Sequence, residues 1–226
     1  MGDHGHDHGQ GDHDHGHGHG DGGHGHDHGE HGHGHSHDHD ESGYATGEKA
    51  DRLEDPIQYR YLSAEDVYTL LEPEPDWVVA DLGSGTGFFT DEVAPWVELV
   101  YAVDIHQAMQ DAYREKGVPD NVELVTTDVS FLPFDGGDLD AALSLRTFHH
   151  GVADALEEIA RVIRPGGRLV VVDWSATGAG DRDRGPDPED CYDLATAQSL
   201  LLEAGFEIRS ARERRETFAV VAVRRE

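Results

Sequence analysis

The chain has 226 residues, 47 of them acidic and 17 basic, for a formal charge of −30. So negative a surface repels phosphate backbones and anionic lipid head groups, which argues against a nucleic-acid or membrane-surface role. A single cysteine, Cys191, excludes an intrachain disulfide framework and any multi-cysteine metal site, and with no apolar run near 18 residues and no leader-type apolar stretch, a cytoplasmic protein is expected.

Residues 1–42 carry ten of the acids, none of the bases and almost no apolar side chain. Glycine, histidine and acid cannot offset the entropy of ordering a backbone, so a disordered tail is expected unless metal is bound. It holds 15 of the 18 histidines: His4, His6, His8, His13, His15, His17, His19, His24, His26, His28, His31, His33, His35, His37 and His39. Imidazoles alternating with Gly and Asp on a flexible chain suit divalent metal ions of borderline softness, such as nickel, zinc, cobalt or copper(II). The irregular spacing fits several weak, exchanging sites better than one tetrahedral centre, and a solubilising tail with no metal role is the alternative.

A polar linker at 43–50 leads into one domain at 51–226, a size that buries an ordinary core. Ser63 followed by Asp66 reads as a capping box opening a helix over Ala64–Leu71, which Pro73 and Pro75 end. WVVAD at 77–81 is a continuous apolar run, as expected of a strand covered on both faces. A glycine loop at 83–87 precedes a helix from 88–93, kept short by Pro95 and Trp96. The alternation repeats with strand 98–104 and helix 106–116, strand 122–128, strand 139–145 and helix 152–163, strand 168–174 and helix 194–204, closed by Gly205. Strands at 206–212 and 217–224 are too close for a crossover helix and are predicted to be antiparallel neighbours. The result is an α/β, Rossmann-like doubly wound sheet with one reversed strand.

Chemistry concentrates at strand ends. DLGSGTG at 81–87 lies where an apolar strand meets a helix, so Gly83, Gly85 and Gly87 permit positive φ and close approach of a nucleotide-type ligand to backbone N–H groups. Asp104, 17 residues beyond Gly87 and ending the next strand, is placed to accept from both hydroxyls of a ribose; the alternative is a helix N-cap. Asp128 ends the third strand, where a carboxylate accepts from an adenine amine or caps a turn. These ends share one edge of the sheet, the edge on which open α/β sheets bind ligands.

DLGSGTG, Asp104 in YAVDI, Asp128 in VTTDVS, LDAALSLRTFHH and RPGGRLVVVDW together resemble the successive motifs of class I S-adenosylmethionine-dependent methyltransferases, of the type 11-like group that includes quinone-biosynthesis methyltransferases. The lead-in LEDPIQYRYLSAEDVYTLL at 53–71 is similar to small members of this family, and the likeness runs from about Arg52 to the C-terminus. The acid-rich composition, with only Lys49 and Lys116 as lysines, resembles that of salt-loving archaeal proteins.

The resemblance implies a seven-stranded sheet in three α/β/α layers, with the seventh strand inserted antiparallel between the fifth and sixth. It implies that Asp81, Gly83, Ser84, Gly85 and Gly87 hold the amino-acid part of S-adenosylmethionine, that Asp104 with Ile105 takes the ribose side and Asp128 with Val129 the adenine, and that Leu145 and Arg146 line the sulfonium and methyl group. The reaction implied is methyl transfer to a small-molecule acceptor by in-line displacement. His149 and His150 follow the fourth strand, and either imidazole is a candidate base for a protonated acceptor; a helix cap and a packed loop residue are the alternatives. Tyr59, Tyr61, Phe148, Trp174 and Phe218 are candidates for an apolar acceptor wall or for core. The polar loop 175–190 reads as a lid or a surface excursion.

Two other readings compete. In one, the tail stores or delivers metal while the α/β domain binds a nucleoside without catalysis. In the other, the domain is a nicotinamide-dependent dehydrogenase, but Phe88 stands where the third glycine of G-x-G-x-x-G belongs.

Overall fold

Short apolar runs separated by amphipathic segments fold into a seven-stranded sheet with helices on both faces, seen in a computed structural model that describes residues 47–178 and 185–226. Residues 1–46, with every tail histidine, and 179–184, part of the 175–190 loop, lie outside the described residues.

Helix α1 (Gly47–Leu53) spans the expected junction of linker and domain, and a 3₁₀ turn follows at Pro56–Arg60. Helix α2 (Ala64–Leu71) has the capping box read from the sequence: Asp66 N donates to Ser63 Oγ at 3.0 Å, and Ser63 N to Asp66 Oδ2 at 3.3 Å. Then come β1 (Val78–Leu82), α3 (Thr90–Val93), β2 (Leu99–Asp104), α4 (Gln107–Lys116), β3 (Val122–Thr126), β4 (Leu139–Leu145), α5 (Leu156–Val162), β5 (Ile163–Trp174), α6 (Leu194–Glu203), β6 (Phe206–Glu213) and β7 (Thr217–Arg224).

The strand order is β3-β2-β1-β4-β5-β7-β6. The first five strands are mutually parallel, and β7 runs antiparallel to both β5 and β6. The reversal read from the short 213–216 connection, and the insertion implied by the resemblance, are both present. One core layer packs Leu156, Ile159 and Leu201 against Ala80, Ala142 and Val171; the other packs Val67, Leu71, Val93 and Tyr113 against Val79, Leu143 and Val170. Strand residues therefore alternate between two buried layers, which is why the strands read as unbroken apolar runs.

Four elements differ from the sequence reading by two or more residues, the largest difference being β5, which begins at Ile163 rather than 168. Helix α3 is a single turn, because Pro95 lacks the amide a longer helix needs. Helix α5 starts at Leu156 rather than 152: Gly151 has φ +91° and His150 non-helical angles, forming an irregular turn over Phe148–Val152. Strand β3 stops at Thr126, where Thr127 N turns to Asp104 O at 3.1 Å.

Candidate cofactor and acceptor site

The residues singled out from the sequence gather on the rim formed by the carboxyl ends of β1, β2 and β4 and the turn after β3. From Leu82 the chain bends over β2: Gly83 N and Ser84 N both donate to Val103 O, at 2.8 and 2.9 Å, and Gly87 N donates to Ser84 O at 2.9 Å. The glycines at 83, 85 and 87 take φ of +79°, +57° and +80°. They differ in what surrounds them. A Cβ on Gly83 would lie 2.5 Å from Thr147 Cγ2, and one on Gly87 would collide with the Tyr113 ring. Among the described residues, the only near neighbour at Gly85 would be the Leu53 Cδ1 methyl at 3.3 Å, a flexible side chain.

Asp104 is buried at 7 % exposure. Its Oδ2 accepts from Gly85 N and its Oδ1 from His106 N, each at 2.8 Å. Oδ1 also lies 3.2 Å from His106 Nδ1, so Oδ2 keeps a lone pair free while the second on Oδ1 is shared with that imidazole. The N-cap of α4 is His106, with no side-chain cap hydrogen bond, so Asp104 is not the helix cap. Ile105 beside it is 44 % exposed, an apolar surface at the rim.

Asp81 is withdrawn from solvent, and its Oδ2 accepts the Thr90 hydroxyl at 2.6 Å. Burial pushes its carboxyl up to about 6, against the Thr90 hydrogen bond and helped by the charge on Asp104. Asp128 closes a turn by accepting from Ser130 N at 2.8 Å through Oδ1. Val129 packs against the core, and Leu145 ends β4 almost fully buried.

Arg146, at φ +66°, turns its side chain inward. Nη1 donates to Gln58 Oε1, and the guanidinium lies 5.2 Å from the Phe89 ring centre. Burial lowers its pKa to about 10, opposed by Asp173 and Tyr61, so it stays cationic at neutral pH. Among the described residues, Ser84 Oγ and Arg146 Nε are buried polar atoms with no hydrogen-bond partner. Such atoms carry an uncompensated desolvation cost that a polar ligand would relieve. A buried carboxylate at the rim, a cradle that a Cβ at Gly85 would fill, a second buried acid and two orphaned polar atoms are compatible with the parts of S-adenosylmethionine.

Sequence reasoning missed the N-terminal contribution. Besides Leu53 and Gln58, Glu54 accepts the Thr86 hydroxyl and pairs with Lys116 Nζ at 3.1 Å, so this segment is strapped to the glycine loop. The lead-in resemblance over 53–71 and the candidate aromatics Tyr59 and Tyr61 were its traces, and neither gave Leu53, Glu54 or Gln58 a role.

Asp173 was missed as well. Its carboxylate holds His149: Nδ1 lies 2.9 Å from both oxygens, and His149 N donates to Oδ2 at 2.8 Å. Both side chains are buried, at 4 % and 1 % exposure, and the His149 and His150 ring centres are 3.9 Å apart. An acid ending an otherwise apolar strand was the available signal. Of the candidate aromatics, Tyr61 and Trp174 meet edge to face at 4.7 Å near the end of β5, and Tyr59 is exposed against Phe88. Phe148 and Phe218 are fully buried core, so the wall they were candidates for does not include them.

Among the described residues, no helix is long and apolar enough to cross a membrane, and no group of three or more His, Cys, Asp or Glu could hold a metal ion.

Residues 80–171 match a family model described as a methyltransferase domain. A demethylmenaquinone methyltransferase from Corynebacterium kroppenstedtii is 42% identical over 108 residues, which is 46% of this chain and 45% of that protein. The ubiquinone/menaquinone biosynthesis C-methyltransferase of Ectopseudomonas mendocina is 39% identical over 111 residues, 44% of this chain and 43% of the relative. The matches thus span under half the length of these relatives. The crystal structure of a SAM-dependent methyltransferase from Aquifex aeolicus superposes with a TM-score of 0.70 at 27% identity, covering 78% of this chain and 97% of that one. With the reversed seventh strand and the motifs in order along one rim, residues 80–171 match a methyltransferase-domain model, and the fold is similar to that of a SAM-dependent methyltransferase.

Proposed function

We propose that the chain transfers the methyl group of S-adenosylmethionine to a small-molecule acceptor by in-line displacement. The observation that carries this reading is the buried Asp104 carboxylate, braced at 2.8 Å by the amide of Gly85, the loop glycine whose only near neighbour among the described residues would be a flexible side chain. In this reading Asp104, with Ile105 beside it, accepts the ribose hydroxyls, Asp128 and Val129 receive the adenine, and Asp81 with Gly83, Ser84, Gly85 and Gly87 holds the amino-acid part. Leu145 and Arg146 line the reacting end.

When bound, the cofactor supplies an already activated sulfonium methyl, so the protein's task is alignment and exclusion of water. The strap at Leu53, Glu54 and Gln58 covers the loop and serves exclusion. Asp173 accepts from His149 Nδ1, which fixes the ring and leaves Nε2 as the proton acceptor for a protonated nucleophile. His150, whose ring lies tilted against that of His149, is the second candidate.

The tail's metal binding, by nickel, zinc, cobalt or copper, is proposed on composition alone, as are cytoplasmic location and the absence of nucleic-acid and membrane partners. Calorimetry with S-adenosylmethionine tests the cofactor assignment. One site per chain is expected in the parent and none within reach in Asp104→Ala; equal affinity in both would remove Asp104 from the site.

A further inference from the structure

The β6–β7 hairpin brings arginines to the ligand rim. Strand β7 runs antiparallel to β5 with Thr217 opposite Trp174, so the tip at 214–216 rises on the same edge as the glycine loop, beyond β5. There Arg60, Tyr61, Arg214, Arg215, Glu216 and Thr217 line a cleft of about 340 Å³. Tyr61 joins it to the reacting end, since its ring packs on Trp174 and its hydroxyl lies within electrostatic reach of Arg146.

One guanidinium donor in the cleft lacks an acceptor among the described residues. Arg214 Nη2 pairs with Asp66 Oδ2 at 2.9 Å. Arg60 and Arg215 share Glu216 Oε1 at 3.8 and 3.6 Å, ion-pair distances too long for hydrogen bonds. Among the described residues, Arg214 Nη1 is buried with no hydrogen-bond partner, as is Nε of Arg146, whose guanidinium is within electrostatic reach of Tyr61. These are two buried guanidinium donors lacking acceptors, in a protein whose formal charge is −30. The cofactor side of the same rim presents acids instead, Asp81, Asp104 and Asp128. Guanidinium forks match the oxygens of carboxylates and phosphates better than any other side chain does.

We infer that this cleft is an oxyanion subsite, and that the methyl acceptor is a small molecule bearing a carboxylate or phosphate held by Arg214 and Arg60. The inference rests on the methyltransferase reading for the word acceptor, but the cleft's preference for an anion can be measured without it.

The test is calorimetric titration of the full chain loaded with S-adenosylhomocysteine, at one ionic strength, with benzoate, phenyl phosphate and the neutral benzamide. At least one anion is expected to bind tenfold or more tightly than benzamide, the tighter of the two naming the oxyanion. Arg214→Gln is expected to erase that preference with S-adenosylhomocysteine affinity retained. Arg60→Gln, at a far more exposed side chain, is expected to reduce it at least threefold and guards against misfolding of the first variant. Equal binding of all three probes, no anion binding, or an unchanged preference in both variants would overturn the proposal. Failure of S-adenosylhomocysteine to bind would instead count against the methyltransferase reading, and the same probes against the free protein would still decide the cleft.

Discussion

The amide of Gly85 donates to Oδ2 of Asp104 at 2.8 Å, tying the loop after β1 to the last residue of β2. One carboxylate therefore shapes the loop and faces the ligand rim. Asp104→Ala removes both, and hydrogen bonds to a charged group contribute about 1.5–3 kcal/mol each. The expected loss of S-adenosylmethionine affinity is roughly 100-fold or more, read by calorimetry, while Asp104→Asn, able to accept through one oxygen, falls between.

The loop glycines are predicted to separate by what they meet. Gly87→Ala combines a positive φ with a collision against Tyr113, so a stability loss of roughly 2–4 kcal/mol is expected in urea titration. Gly85→Ala meets only the Leu53 methyl and carries the conformational penalty alone, about 1–2 kcal/mol. Its larger effect is expected on cofactor affinity. Equal stability losses with unchanged binding would show that Gly85 faces no ligand.

Asp81 makes the fold and the site respond oppositely to pH. Its folded pKa is raised to about 6 from an ordinary 3.8, so the folded state holds the proton more tightly. The stability linked to that proton is fully present below about pH 4 and is lost as pH rises through 6. Between these values the parent should lose stability relative to Asp81→Asn, as followed by urea midpoints. A cationic ligand favours the ionised acid, so parent affinity for S-adenosylmethionine should climb through pH 6 while that of Asp81→Asn stays flat.

His149 and Asp173 form a buried pair, and general-base catalysis is typically worth 10²–10⁴-fold. Asp173→Asn is expected to lower kcat about 100-fold with cofactor affinity unchanged and to alter the pH–rate profile. A parallel fall in cofactor binding and thermal stability, with the profile kept, would mark the pair as a structural pin for the turn after β4.

Deleting residues 1–42 is expected to abolish nickel and zinc binding, measured by equilibrium dialysis, and to leave S-adenosylmethionine affinity intact. A loss of catalysis on deletion would tie the tail to the enzyme.

The order of elements was legible because each strand is buried on both faces and each helix is bounded by local chemistry. The Ser63–Asp66 capping box and Gly205 lie where the sequence places them, and β7 spans Thr217–Arg224 as read. Asp104 and the glycines were legible as a site because strand ends and glycine spacing are local features. The Leu53–Gln58 strap and the Asp173–His149 pair were not, since they join residues about 24 to 88 apart that only the tertiary fold brings together. The early end of β3 follows from Thr127 spending its amide on Asp104 O, and the late start of α5 from the positive φ of Gly151 and the non-helical angles of His150.

The most direct measurement is transfer of label from methyl-labelled S-adenosylmethionine, incubated with the full chain and a metabolite extract. Label is predicted in a new low-molecular-mass product with the parent and at background with Asp104→Ala. Label that stays in the cofactor with the parent, or moves equally well with both proteins, would contradict methyl transfer at this rim.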